Sequence, residues 1–376
     1  MKIAAVQMDA TPAPTADRLT RAGRLVAQAA GAGAQLVVLP ELFNTGYAYT
    51  DANHRLAEPL DGPTPAWMRD TAARLNLHLA GTFMLLDHDE VYNTLLLFAP
   101  DGRAWRYDKN YPWGWERGYF RDAHRITVAE TDLGHLGMMI CWDTAHPRLW
   151  RRYAGRVDLM LICSCPPDIS NPTFHFPGRD PLTFDDMGQL MSALKSSARV
   201  VFGEVITQQA AWLGVPAVQS VGSGHIETPI PNGLSTFLTF LPMAPWLIGY
   251  LPQARRMRVS CDMVQGCKVV AADGQVLTEL TQEQGEAFTL AEVTLPDQRP
   301  SPRHAQPPSP LSWFLYFISD VLLPSLTIPV YRNGLRRTWG KHMAPVDPAT
   351  RKWTTALILT TATTYLLTRI RHRHKP

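Results

Sequence analysis

The sequence of 376 residues predicts an α/β fold in which helices cover a sheet, because apolar strand patterns and amphipathic helical patterns alternate along most of the chain. Residues 35–39 and 136–140 are largely apolar runs, which is typical of buried strands. A chemically active side chain follows each run. Glu41 follows the first run after Pro40, and Cys141 directly follows the second. Ligands of open α/β sheets bind beyond the carboxyl ends of the strands, so we expect both side chains at a cleft.

The elements follow from local patterns and turn residues. Helices are predicted at about 15–30, with Thr15 or Asp17 as the N-cap, and at 64–75, 148–153 and 184–198. Strands are predicted at 1–9, 35–39, 77–85, 91–98, 104–107, 136–140, 157–162, 200–206, 267–271, 275–280 and 287–293.

The alternation breaks at about 207–260, which we interpret as an apolar insert. Residues 232–251 are apolar and contain prolines, and Arg255, Arg256 and Arg258 follow them. This pattern indicates a lid or a surface that dips into lipid. The chain then divides into a catalytic domain at 1–295, a proline-rich connector at 296–310 and a C-terminal region at 311–376.

The C-terminal region contains two apolar segments, 311–331 and 353–370, and the chain ends in a basic tail. The first contains Asp320 and two prolines, so we expect it not to form one straight spanning helix. The second is just long enough to span, but a single span would place the basic tail outside, against the positive-inside tendency. We therefore expect in-plane or re-entrant membrane attachment. A true span and a helical pair that packs in a dimer remain alternatives.

Composition and charge restrict the partners and the compartment that we expect for the protein. The net charge of +3 is mild and its basic clusters lie in the last third of the chain without a nucleic-acid-binding motif, which favours an anionic membrane surface over nucleic acid. Five cysteines without a regular framework indicate a reducing compartment. The first nine residues have no signal-peptide core and are predicted to be a strand, so we expect the body to lie in the cytoplasm.

Three short blocks carry a family resemblance. They are Leu39-Pro40-Glu41-Leu42-Phe43, Tyr107-Asp108-Lys109 and Ile140-Cys141-Trp142-Asp143. In this order they closely resemble the signature blocks of the nitrilase, or carbon–nitrogen hydrolase, superfamily. The resemblance covers about residues 1–295 and implies an αββα sandwich, with the apolar helical extension added at the C-terminus. It also implies pairing with a second copy, as a homodimer or a higher homo-oligomer.

The resemblance assigns roles to the catalytic residues. Cys141 would be the nucleophile, activated by the Lys109 ammonium, which lowers a thiol pKa. Glu41 would transfer protons, and Lys109 with the backbone N–H of Trp142 would stabilise the oxyanion. Glu116, seven residues after the lysine, resembles the second glutamate of the family and would orient Lys109 or the water.

The remaining site residues are assigned by position. We predict that the substrate is bound by Tyr47, Trp113, Trp115 and Cys165. No cofactor or metal is predicted, because a lone Cys163-Ser-Cys165 without spaced histidines is a weak metal motif. The chain departs from the family pattern at Arg148 and Glu204, where a glutamate and an asparagine are common, so the substrate pocket is open to question.

Together these observations predict an amidase attached to the cytoplasmic face of a membrane, acting through a thioester on the amide of a hydrophobic or lipid-like molecule. One alternative is an N-acyltransferase that passes the acyl group to an amine. Another is a membrane scaffold without catalytic activity, which the presence of all four catalytic residues disfavours.

Overall fold

The computed structural model describes residues 1–170, 172–187, 197–242, 244–264, 266–296, 298–302 and 304–340. The predicted N-terminal strands and helices of the fold lie close to their expected positions. The described strands are β1 Lys2–Asp9, β2 Leu36–Val38, β3 His78–Asp87, β4 Glu90–Phe98, β5 Ala104–Asp108, β6 Val128–Thr131, β7 Gly134–Ile140, β8 Leu159–Ser164, β9 Thr173–His175, β10 Ala217–Ser223, β11 His225–Pro229, β12 Arg258–Asp262, β13 Lys268–Val270, β14 Val276–Glu279 and β15 Ala287–Glu292.

The main sheet has two halves joined through its first strand. The strand order is β5-β4-β3-β2-β1-β10-β8-β7-β6, and β13 and β15 branch from β10 and β1. Strands β1, β2 and β3 are parallel neighbours, as are β7, β8 and β10. The halves meet over a short parallel pairing of β1 with β10, which includes Met8 opposite Gly222. The sheet therefore turns there and brings its two halves face to face.

The helices cover the outer faces of the two halves. The described helices are α1 Thr15–Gly31, α2 Ala52–Leu56, α3 Pro63–Leu75, α4 Pro147–Tyr153, α5 at residues 197–213, α6 Gly233–Phe240 and α7 Trp313–Trp339. Short 3-10 segments lie at Gly114–Gly118, Cys141–Ala145, Phe184–Met187, Pro245–Arg256 and Gln282–Gln284.

Side-chain alternation along the strands divides the core into layers. Ile3 and Ala5 of β1 face the core between the two sheet halves, whereas Ala4 and Val6 face α1 and α3. On the other half, Met139 of β7 packs under α4 and α5. The result is the αββα sandwich that the resemblance implies, and this part of the fold prediction is confirmed.

The predicted strand at 200–206 is wrong. These residues belong to α5, which runs as Ser197–Val200, a π-helical stretch Val201–Val205 and Ile206–Leu213. The run is rich in β-branched residues, which favours a strand, but its buried residues recur with helical spacing and pack against β7 and β8. The part of the predicted helix 184–198 between residues 188 and 196 lies outside the described residues.

The predicted break in the alternation of strands and helices, at about 207–260, covers fewer residues in the structure than the sequence indicates. It includes β10, which lies between β1 and β8 in the main sheet. Strands β11 and β12 join β9, which comes earlier in the chain, in a separate three-stranded sheet of order β11-β12-β9, and α6 and the segment Pro245–Arg256 pack with it. This added layer stands beside the main sandwich.

The C-terminal helix α7 is continuous despite its two prolines. It includes a π-helical stretch, Phe317–Leu322, which contains Asp320, and ends at Gly340 with a left-handed φ of +64°. Asp320 and the prolines therefore do not end the helix, and the expectation that this segment is not one straight spanning helix stays a prediction. The second apolar segment, 353–370, lies outside the described residues.

Candidate active site

Cys141 begins a tight turn directly after β7. Its φ of +49° lies in the left-handed region, which is costly for a residue with a side chain, so neighbouring groups must hold it. The Asp143 carboxylate accepts hydrogen bonds from the backbone N–H groups of Ile140, at 3.0 Å, and Tyr111, at 2.8 Å. The Tyr107 hydroxyl donates to it at 2.6 Å. Asp143 therefore fixes the turn that carries the thiol.

Glu41 follows β2 and is buried, with only one of its carboxylate oxygens paired. Oε1 accepts a hydrogen bond from Lys109 Nζ at 2.8 Å and from Asn93 Nδ2 at 2.7 Å. Oε2 has no hydrogen-bond partner. Burial raises the pKa of Glu41 to about 7, against the opposing effect of Lys109, and Cys141 is close enough to contribute to that pKa. Glu41 is thus a base poised near neutral pH.

Lys109 follows β5 and is fully buried between two carboxylates. Its ammonium donates to Glu41 at 2.8 Å and to Glu116 Oε2 at 2.6 Å. Burial alone lowers the pKa of Lys109, but Glu116 and Glu41 outweigh it, so the pKa lies well above its ordinary value and Lys109 is a cation. An ammonium has three N–H donors, so one remains for a ligand.

Glu116 holds the other side of the lysine. Its Oε2 also accepts the backbone N–H of Trp113 at 2.9 Å, and its Oε1 accepts the Tyr47 hydroxyl at 2.6 Å. Tyr47 in turn lies 3.0 Å from the Tyr49 hydroxyl. The two carboxylates and the ammonium therefore form one buried network, in which every named bond fixes the position of Lys109.

The Cys141 thiol is neutral at rest. Burial raises its pKa well above the ordinary value, and Glu41 raises it further, while Lys109 opposes both. Lys109 was expected to lower the pKa of the thiol, and its own contribution does so, but burial and Glu41 outweigh it. A neutral thiol is a weak nucleophile, so the reaction needs a base at hand when the substrate binds.

A small pocket of about 30 Å³ lies against the thiol. Its walls combine catalytic residues with apolar ones: Tyr47, Trp113, Glu116, Cys141, Trp142, Pro166, Pro167, Ile169, Ala198 and Phe202. The pocket is large enough for the reacting group of a ligand only. Of the predicted substrate-binding residues, Tyr47 and Trp113 line it.

The other two predicted substrate-binding residues lie elsewhere. Trp115 lines a second, larger cavity and packs edge-on against Trp113, with ring centroids 5.4 Å apart. Cys165 is buried, with its sulfur 3.9 Å from that of Met263, and its backbone lies close enough to Cys141 to lower the pKa of that thiol. Cys165 thus contributes to the site through its backbone.

The second cavity has a volume of about 240 Å³ and shares Trp113, Pro167 and Ile169 with the small pocket. Its described lining residues include no charged side chain. The added layer contributes Ile226, Thr239, Phe240, Val259 and Cys261, and α7 contributes Phe314, Leu315, Ile318, Ser319, Leu322 and Leu323.

Helix α7 also contacts the nucleophile turn directly. The Trp142 indole N–H donates to Asp320 Oδ1 at 2.8 Å. Asp320 Oδ2 lies 3.7 Å from His146 Nε2, and the His146 ring stacks on Tyr111 at 3.6 Å between centroids. Asp320, which the sequence marks only as an acidic residue in an apolar segment, therefore holds Trp142, the residue next to Cys141.

Sequence reasoning missed three residues of the site: Asn93, Asp143 and Asp320. Asn93 could have been identified from the sequence, since it is a polar amide residue inside the largely apolar pattern of β4. Asp143 lies within the quoted nucleophile block, although no role was assigned to it. Asp320 is the only acidic residue in Trp313–Trp339, but nothing in the sequence places it beside Trp142.

The described part of the chain contains no group of three or more His, Cys, Asp or Glu arranged to hold a metal ion. The groups that the site offers for chemistry are the Cys141 thiol, the Lys109 ammonium and the carboxylates of Glu41 and Glu116.

Comparison with known proteins gives one family match and several relatives. Residues 2–180 match the carbon-nitrogen hydrolase family. The chain is 30% identical to a nitrilase of Pyrococcus abyssi over 159 residues, which are 41% of this chain and 60% of the relative. It is 29% identical to an (R)-stereoselective amidase of Pseudomonas sp. over 154 residues, 41% of this chain and 56% of the relative. The chain thus spans little more than half the length of these relatives.

Solved structures match over a longer part of the chain. A CN-hydrolase superfamily protein of Xanthomonas campestris aligns with a TM-score of 0.56 at 20% identity, over 77% of this chain and 89% of that one. A variant of the amidase from Nesterenkonia sp. AN1 in complex with butyramide aligns with a TM-score of 0.55 at 19% identity, over 77% and 89%. These likenesses concern the fold. The family match is to residues 2–180, and this part of the chain contains Glu41, Lys109, Glu116 and Cys141.

Proposed function

We propose that the protein is a cysteine amidase that cleaves the C–N bond of a hydrophobic or lipid-like amide through a thioester, while attached to a membrane. The observation that carries the proposal is the buried arrangement of Glu41, Lys109 and Glu116 around a neutral thiol, beside an apolar cavity. The relatives named amidases and nitrilases support the same reaction type.

The first half of the reaction forms the thioester. Cys141 sulfur attacks the amide carbon, and its proton passes to Glu41, whose Oε2 has no other partner. The third N–H of Lys109 and the backbone N–H of Trp142 stabilise the oxyanion. The C–N bond then breaks, and Glu41 returns the proton to the leaving nitrogen, because an unprotonated amide ion is a very poor leaving group.

The second half releases the acid. Water attacks the thioester carbon and gives a proton to Glu41, the C–S bond breaks, and the proton returns to the thiol. The pKa of about 7 suits Glu41 to this alternation, since a group that both accepts and donates works best near the ambient pH. Throughout, Glu116 and Tyr47 keep the ammonium in place.

The test is direct detection of the acyl-enzyme. Full-length protein is mixed with octanamide, quenched in acid and examined by intact-protein and peptide mass spectrometry, while ammonia is measured in parallel. We expect ammonia release and an octanoyl group on Cys141, with neither in Cys141→Ala. An amine added to the mixture separates hydrolysis from acyl transfer, since an acyltransferase would form the N-alkyl amide in preference to the acid. No adduct and no ammonia with any amide would contradict the proposal.

The membrane part of the proposal rests on exposed aromatic and apolar side chains. Trp246 and Trp313 are 63% and 77% exposed, and Trp313 belongs to α7, which lines the apolar cavity elsewhere. Ile248 is exposed close to Trp246, and Arg255 and Arg256 follow. Exposed tryptophans with nearby arginines are typical of proteins that lie at a membrane interface.

Helix α7 supports in-plane attachment over a span. Among the described residues it is the one helix long and apolar enough to cross a membrane. Its contacts with the catalytic domain run along its length: Asp320 binds Trp142, Thr327 binds the Gly114 carbonyl at 3.4 Å, and the Trp339 indole binds the His54 carbonyl at 3.2 Å. A helix bonded in this way lies on the domain, with its outer face free for lipid.

Vesicle flotation tests the attachment. We expect the full chain to float with anionic vesicles of phosphatidylglycerol and phosphatidylcholine, and the Trp246→Ala, Trp313→Ala double variant to bind several times more weakly. Trp105→Ala, on the edge strand β5, is the matched control and should not change binding. Resistance to alkaline carbonate would indicate a true span. Location at the cytoplasmic face and pairing with a second copy stay predictions.

A further inference from the structure

The apolar cavity lies directly beside the catalytic pocket. Trp113, Pro167 and Ile169 line both, so a ligand whose reacting carbon is at Cys141 can extend past them into the larger space. The pocket at the thiol, about 30 Å³, cannot hold more than the reacting group, whereas the cavity of about 240 Å³ can hold a chain of atoms. The rest of a long substrate therefore has the cavity as its nearest enclosed site.

The chemistry of the reaction decides which part of the amide enters. The leaving nitrogen departs as an amine, which becomes an ammonium in water, and water must then reach the thioester. The described lining of the cavity has no charged side chain to pair with an ammonium, so placing it there would be costly. The acyl group, by contrast, stays covalently attached to Cys141 between the two half-reactions.

We propose that the cavity binds the acyl chain of the substrate, and that the enzyme is selective for amides of medium- or long-chain carboxylic acids. This rests on the proposed amidase function. Helix α7 and the added layer then act as the acyl-binding wall, with Ile318 and Leu322 on one side and Phe240 on the other. The amine side of the substrate faces the solvent, and its size has little effect on which substrates the enzyme accepts.

Two substrate series test the assignment with the full-length protein. One extends the acyl chain in primary amides from acetamide to octanamide, and the other extends the amine in N-alkyl acetamides from methyl to hexyl. We expect kcat/KM to rise about fourfold for each added acyl methylene, the factor for burying one such group. The N-alkyl series should stay within about threefold of its first member.

Variants locate the chain in the cavity. Ile318→Trp fills part of the space and should lower the ratio of kcat/KM for octanamide to that for butyramide at least tenfold. Val321→Trp is the matched control, since Val321 is 55% exposed on the same π-helical stretch, and it should leave the ratio unchanged. Thermal unfolding of both variants checks that each is folded.

The outcomes separate this inference from the proposed function. If short amides are hydrolysed and Cys141 is acylated, but activity rises with the N-alkyl chain or not with the acyl chain, the acyl assignment is overturned and the amidase stands. An unchanged ratio in a folded Ile318→Trp variant would also overturn it. If no amide reacts and Cys141 stays unmodified, the proposed function fails with it.

Discussion

The polar side and the apolar side of the site come from different parts of the chain. Glu41, Lys109, Glu116 and Cys141 lie within residues 2–180, the region that matches the family, and short hydrogen bonds join Lys109 to both glutamates. The apolar cavity is built largely from residues after 180, from the added layer and α7. Under the proposed function, bond cleavage is set by the first region and the choice of substrate by the second. Changes on the polar side should affect all amides equally, whereas changes on the apolar side should depend on chain length.

The largest effect is expected from Glu41→Gln. The variant keeps the size of the side chain and an oxygen that can accept from Lys109, but it removes the proton acceptor. Loss of a general base typically costs about 10²–10⁴-fold, and we expect kcat/KM to fall by about 10³-fold for butyramide and octanamide alike. Steady-state ammonia release with both amides measures this. A loss confined to one chain length would contradict the separation of the two sides.

The second effect concerns pH. Glu41 must be ionised to accept the thiol proton, so kcat/KM is constant above the pKa of about 7 and falls about tenfold per pH unit below it. Asn93 stabilises the ionised form through its hydrogen bond at 2.7 Å. Asn93→Leu should therefore raise the pKa and move the acidic limb upward by about one to two pH units, since a hydrogen bond to a charged group contributes about 1.5–3 kcal/mol.

The control for the pH effect is Thr94→Val, the next residue of β4. Thr94 is buried and donates to Asp108, at 2.6 Å, rather than to the catalytic carboxylates. Its loss should leave the pH of half-maximal kcat/KM unchanged. An equal shift in both variants would mean that general loosening of β4, rather than the bond to Glu41, causes the effect.

A smaller effect is expected where the two sides meet. Asp320→Ala removes the partner of the Trp142 indole and leaves a buried N–H unpaired, which costs about 1–3 kcal/mol. Because Trp142 supplies the proposed oxyanion donor, part of that cost should appear in kcat, as a fall of about tenfold with little change in KM. Asp320→Asn keeps an acceptor and should recover most of the rate. A fall in thermal stability without a change in kcat would show that Asp320 acts on folding only.

The sequence predicted the polar side well, because its residues follow strands whose patterns are local. Glu41, Lys109 and Cys141 each lie at the end of an apolar run, and the blocks around them are specific to the family. Parallel strands bring their carboxyl ends to one edge, so position along the chain sufficed to place these residues at a common cleft.

The apolar side could not be predicted in the same way. Its cavity joins residues from Tyr49 to Leu323, and no spacing in the sequence connects them. Strand β10 was missed because it contains Gln219 and Ser220, polar residues whose burial only the surrounding sheet explains. The apolar run at 200–206 favours a strand locally, and its packing against the sheet makes it a helix instead.

The smallest effect tests the seating of α7 itself. Gly334 lies against the buried ring of His54, and a Cβ there would come within 2.6 Å of Nε2. Gly334→Ala should therefore force α7 and His54 apart and lower the free energy of unfolding by about 1–3 kcal/mol, the usual cost of overpacking. Gly31→Ala, near the end of α1 with open space around it, is the matched control and should not destabilise the protein. If α7 is the acyl-binding wall, the Gly334 variant should hydrolyse butyramide normally and lose selectivity for octanamide, as measured by kcat/KM. Normal selectivity despite lower stability would mean that the cavity is held by the N-terminal half of α7 alone.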